Sequence, residues 1–176
     1  AADVNETNRR DEQNFSRYIF KRIDAEVLLD AVVQVTGVPE KFEGVAPGYR
    51  AIQLWDSKVP HYFLKTFGRP VRVTACSCER TSSATVGQVL HVLNSPEIQD
   101  KLSHQGGHIA GMLREDVDGE AFVEELSLAC FSRFPTAAER AKLIAHLEGK
   151  QGAERQRAAE DVVWSMLNSM EFLFNH

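Results

Sequence analysis

Apolar side chains recur three and four residues apart in one segment after another, and each segment is closed by a glycine, a proline or a capping side chain. That period puts them on one stripe of an α-helix, and the stripe has to be buried against a neighbour. In AEVLLDAVVQVTG, Val27, Leu28, Ala31, Val32 and Val35 follow it, with Asp24 as N-cap and Gly37 as stop. EAFVEELSLACFSRF sets Phe122, Leu126, Ala129 and Cys130 along one face and ends at Pro135. Thr136-Ala-Ala-Glu139 then has the form of a capping box, each side chain satisfying the other's free backbone N–H, ahead of Leu143, Ile144 and Leu147. A last helix, from about Ala153, buries Val162, Val163, Met166, Leu167 and Met170, and Phe172, Leu173 and Phe174 dock its end.

The pattern predicts an all-α fold, a mainly helical single domain with a long irregular loop insertion. Pro39, Gly44, Pro47 and Gly48 punctuate residues 38–58 too densely for a helix, so this stretch reads as an ordered loop with an apolar patch at Ala51, Ile52, Leu54 and Trp55. VPHYFLKTFG has Pro60 near its first turn and Gly68 at its end, the asymmetry of a short helix. RPVRVTACSCERTSS returns to irregular structure. Beyond Ser83 the chain reads as helix again: ATVGQVLHVLN, a Ser95-capped turn through Leu102, a break at Gly106 and Gly107, and IAGMLRE. The first fourteen residues carry one apolar side chain larger than alanine, Val4, and are expected to form an extended arm. Residues 15–176 are then the domain, expected to be the C-terminal part of a larger protein.

Composition narrows the function classes. With 43% hydrophobic and 26% charged residues, 176 residues make a core-forming chain and not a disordered or low-complexity one. Three cysteines are too few for a disulfide scaffold, and no apolar run approaches the ~20 residues of a membrane helix. Residues 1–88 hold 12 basic and 11 acidic side chains, whereas residues 89–176 hold 8 and 14. An acidic second half and a pI near 5.7 argue against nucleic acid as a partner, since phosphate neutralisation needs a dominant basic face.

Few residues carry chemistry by spacing. Cys76 and Cys78, one residue apart, could bind a soft metal, close a strained disulfide with each other or pair with Cys130, or simply pack as small hydrophobes. A structural zinc site wants a second ligand pair, and none follows. His104 and His108 are four apart, but Gly106 and Gly107 between them break the helix that would align them, so both read as surface or capping residues. No Cys-x-x-Cys-His, phosphate loop or Gly-x-Ser-x-Gly occurs, so no cofactor is expected in this chain. Asp56 and His61 could serve as an acid–base pair with Glu79 nearby, although no nucleophile accompanies them; the plainer reading puts His61 on a helix surface. Lys58, Lys65, Arg69, Arg72 and Arg80, with Tyr62, Phe63 and Phe67 interleaved, suit an anionic polymer or an acidic protein surface. Lys65, Arg69, Arg72 and Tyr62 are the candidate binding residues. Glu115, Asp116, Asp118, Glu120, Glu124 and Glu125 form the opposite patch.

The block from RAIQLWDSKVPHYFLKTFGRPVRVTACSCERTSS to NSPEIQDKL, with EVLLDAVVQVTGVPEKFEG before it and SRFPTAAER and WSMLNSMEFLFNH after it, resembles the planctomycete-type C-terminal domain of unknown function, the PSD domain. The resemblance covers nearly the whole chain, and FGRP, C-x-C-E-R, the LLNS-like MLNS and SRFPT carry it. It implies a large extracytoplasmic protein in the periplasm or cell envelope, often one with a planctomycete cytochrome c domain, and it brings no catalytic residue. The expected function is therefore a non-catalytic interaction or scaffold module whose partners are other domains of the same protein. The alternative is an accessory or enzyme domain that binds an anionic extracellular polysaccharide.

Overall fold

The computed structural model describes residues 5–11, 13–14, 16–17, 21–55, 59–69 and 95–175, and in it the fold is all-α, with helices where the apolar period places them. Helix α1 spans Ala25–Thr36; its first turn closes where Leu28 N–H donates to the Asp24 carbonyl (2.9 Å), and it ends at Gly37 in the left-handed region, φ 67°. A 3₁₀ turn at Ala51–Gln53 and the short helix α2, Tyr62–Thr66, follow. Then come α3 (Pro96–Leu102), α4 (His108–Arg114), α5 (Gly119–Phe131), α6 (Ala137–Leu147), α7 (Gly152–Leu167) and α8 (Met170–Leu173). Four N-caps satisfy free N–H groups at helix starts among the described residues: Ser95 accepts from Ile98, Asp118 from Glu120 and Ala121, Thr136 from Glu139, and Ser169 from Phe172.

The core lies where α1, α5 and α7 meet. Leu28, Leu29 and Val32 of α1, Phe122, Val123 and Leu126 of α5, and Val162, Val163 and Leu167 of α7 are buried in one cluster. Phe63 and Phe67 stack at 4.3 Å between ring centroids and join α2 to it. Two short strands, β1 (Lys21–Arg22) and β2 (Phe174–Asn175), pair antiparallel, with Lys21 opposite Asn175, and tie the segment before α1 to the one after α8.

Local expectations change at several points. Met170 and Val27, expected on buried stripes, are 51% and 45% exposed. Residues 6–10 form hydrogen-bonded turns and not an extended run, because Asn5 Oδ1 accepts the N–H groups of Thr7 (2.9 Å) and Asn8 (3.1 Å), an Asx-type alternative to extension. Within 38–55 the chain makes the 3₁₀ turn, fixed from α1: Ala51 N–H donates to Asp30 Oδ1 (2.7 Å) and Ile52 N–H to Asp30 Oδ2 (3.2 Å). The helix expected at ATVGQVLHVLN lies outside the described residues.

Candidate functional site

The chain leaving α1 runs beside α3, held by Lys101, whose Nζ donates to the Val38 carbonyl (3.2 Å) and stands 3.0 Å from Glu40 Oε2. His61, at the N-cap position of α2, meets Glu40 there. Its Nε2 is 3.7 Å from Glu40 Oε1 and 4.0 Å from Oε1 of Glu97 in the first turn of α3. The His61 side chain is only 6% exposed and Glu40 11%, whereas Glu97 is 43% exposed. The Phe42 ring covers the imidazole at 5.3 Å between centroids, and Nδ1 is buried with no hydrogen-bond partner among the described residues. Burial pushes the Glu40 carboxyl up, but His61, the Lys101 ammonium and the Lys41 N–H (3.0 Å) outweigh it and hold the group at about 2. Glu40 is thus ionised at neutral pH. The donor atoms of Glu40, His61 and Glu97 all lie within 4.8 Å of one another, a set that could hold a metal ion.

Of the candidate binding residues, Tyr62 and Lys65 are exposed on α2. Arg69 is not beside them on the surface. Its side chain is 8% exposed, with Nε 3.4 Å from the equally buried Glu26 carboxylate and Nη2 donating to the Leu54 carbonyl at 3.4 Å. Arg72, Cys76 and Cys78 lie outside the described residues, as do Asp56 and Glu79, so the acid–base grouping proposed for His61 does too. His61 itself is buried and not on a helix surface. Cys130 is a free thiol half-buried against the core, and burial pushes it up to about 12, far from a reactive thiolate. His104 Nδ1 accepts the Gly106 N–H (3.1 Å) within its own turn, and His108 Nε2 lies 2.7 Å from Glu125.

The acidic stretch is used at home. Asp118 caps α5, Glu120 and Glu124 pair with Arg140 of α6, and Glu125 pairs with His108. Arg133 forks both ways: Nη1 and Nη2 donate to Glu139 (2.9 Å each), and Nε and Nη2 to Glu171 (2.7 Å each). It thereby clasps the α5–α6 turn to α8.

Exposed apolar surface gathers elsewhere. By anchoring the 3₁₀ turn to α1, Asp30 fixes the base of a ridge on which Ile52 is exposed and Trp55 is 71% exposed, with Tyr49 edge-to-face on Trp55 at 5.8 Å. An open depression of about 330 Å³ lies beside it, lined by Asp30, Gln34, Glu40, Tyr49 and Arg50 among others.

Fold and surface together define a small helical domain in which ion pairs join several elements and an exposed aromatic ridge stands beside them. The chain belongs to the PSD1 family, described as a protein of unknown function (DUF1553), whose model matches residues 1–147. No curated protein and no solved structure matches it. Two segments that carried the resemblance meet in the structure, since Arg133 of SRFPT holds Glu171 of SMEFLF. Their role here is to join elements.

The Glu40, His61 and Glu97 grouping was not legible in the sequence. Its members come from a loop, a helix cap and a different helix, so no i, i+3 or i, i+4 spacing marks them.

Proposed function

We propose that this domain is a non-catalytic interaction module of a larger cell-envelope protein, and that it docks against other domains of the same chain. The observation that carries the reading is the aromatic ridge. Tyr49, Ile52 and Trp55 are exposed, yet they are mounted on a turn that Asp30 hydrogen-bonds rigidly to the core helix α1. Exposed Trp and Tyr on a rigid base suit protein association, because they bury a large area while losing little side-chain entropy. Ion pairs between elements among the described residues support the same reading, since they hold the fold together as a rigid platform. Export to the envelope is part of the same reading, as the resemblance implies, and a cytochrome c domain of the same protein is the first partner to test.

A polysaccharide-binding role draws on Tyr62 and Lys65, both exposed, and on Arg72; it does not gain from Arg69, whose charge faces Glu26.

The test is binding of the purified chain to the separately expressed remainder of its parent protein. Saturable binding is expected, with a Trp55→Ala variant weakened roughly 30-fold, the scale of a 2 kcal/mol anchor residue. Turnover of a small substrate by the isolated chain, or binding untouched by Trp55→Ala, would count against the reading.

A further inference from the structure

We propose that Glu40, His61 and Glu97 form a binding site for a divalent transition-metal ion of the zinc class, with Glu40 Oε1, His61 Nε2 and Glu97 Oε1 as ligands. The site goes beyond the docking function and does not depend on it.

The donor set selects the metal. One imidazole nitrogen with two carboxylate oxygens suits zinc and its neighbours, whereas magnesium and calcium favour oxygen donors alone. Zinc bonds of about 2.0–2.2 Å to such ligands put neighbouring donor atoms ~3.4 Å apart in a tetrahedral site. The distances from His61 Nε2 are 3.7 and 4.0 Å, within a few tenths of an ångström of that spacing, and the three donor atoms all lie within 4.8 Å of one another. Two ligands are already held: Glu40 by the Lys41 N–H and the Lys101 ammonium, His61 by burial and by the Phe42 ring. Glu97 is half exposed on a short helix and is free to swing, which leaves a way in for the ion and room for water as a fourth ligand.

His61 supplies the second, independent observation. An imidazole buried this deeply needs compensation for its polar atoms. Nδ1 has no hydrogen-bond partner among the described residues, and the contacts of Nε2 to the carboxylates are too long for good hydrogen bonds. A cation at Nε2 would replace those long contacts and draw both carboxylates inward, leaving Nδ1 to carry the ring proton. Lys101 offsets part of the carboxylate charge, which favours an ion bound reversibly over one locked in.

The test uses the chain with Cys76→Ser and Cys78→Ser, so that thiols cannot bind the ion, stripped with a chelator and titrated with zinc chloride by calorimetry, with magnesium chloride as a second arm. One equivalent of zinc is expected to bind, with no saturable magnesium binding over the same range. Glu97→Gln is expected to weaken zinc at least ~10-fold, and His61→Gln to weaken it further, both with unchanged far-UV circular dichroism. Glu97 is at the surface, so its variant carries the test even if the His61 variant does not fold. Absence of zinc binding, zinc affinity unchanged by Glu97→Gln, or magnesium bound as tightly as zinc would overturn the proposal.

Discussion

Lys65 and Arg69 are one helical turn apart in sequence and carry the same charge, yet they belong to different parts of the molecule. Lys65 is in solvent, while Arg69 faces the buried carboxylate of Glu26 at 3.4 Å. Removing one member of a buried pair leaves the other charged and poorly solvated, which typically costs about 3–5 kcal/mol. Arg69→Ala is therefore expected to destabilise the fold by about 3 kcal/mol in urea unfolding, and Lys65→Ala by less than about 0.5 kcal/mol. Equal, small effects would show that the pair contributes little. The same contrast limits any test of polyanion binding, because charge reversal at Arg69 would act through folding. At this scale the sequence is legible where partners are close in the chain. Thr136 and Glu139 are three apart, and both halves of their capping box form. Glu26 and Arg69, or Glu40, His61 and Glu97, are joined only once the helices have packed, and nothing in their spacing announces it.

Between elements, the ion pairs act as clasps, and one of them makes stability sensitive to acid. Glu40 connects the segment after α1 to Lys101 on α3 and to His61 at the start of α2. Its carboxyl lies at about 2 in the folded chain against an ordinary 4.5, so the folded state holds the proton less tightly than the unfolded one. Such a group stabilises the fold fully above pH about 4.5, and the contribution is lost as pH falls toward 2. Glu139, held at about 2 by Arg133 and Thr136, works in the same direction, but it is more exposed and more easily screened by salt. Unfolding free energy is thus expected to fall as pH drops from 4.5 to 2, and Glu40→Gln to flatten that slope; an unchanged slope in the variant would remove Glu40 as its source. Element boundaries were largely readable, since Gly37, Ser95 and Thr136 act locally at the backbone. The 3₁₀ turn was not, because its two N–H groups are satisfied by Asp30, 21 and 22 residues upstream and inside α1. The turns of residues 6–10 escaped notice for a different reason: apolar period says nothing about a polar segment that Asn5 folds back on itself.

For the molecule as a whole, the extent of the family match and the extent of the core differ. The match ends at Leu147, the last residue of α6, yet α7 lies at the centre of the packing, touching α3, α4, α5 and α6. Val162, Val163, Met166 and Leu167 of α7, with Phe172 and Leu173 of α8, are all buried. At about 1.5–3 kcal/mol for each large apolar side chain, these six contribute roughly 9–18 kcal/mol. That is as large as the ~5–15 kcal/mol by which a whole domain is stable. The segment also supplies β2, the strand that pairs with Lys21 and Arg22 ahead of α1, and Glu171, one of the two carboxylates on Arg133. Residues 148–175 are accordingly part of one cooperative unit and not an appendage to it. A chain cut after Leu147 is expected to lose the cooperative urea transition and the near-ultraviolet circular dichroism signal of the full chain. It would keep some far-ultraviolet helix signal, since α1 and α5 can still associate loosely. A sharp two-state transition in the shortened chain, with a midpoint close to that of residues 1–176, would place the core within the matched residues alone and show that α7 is dispensable to it.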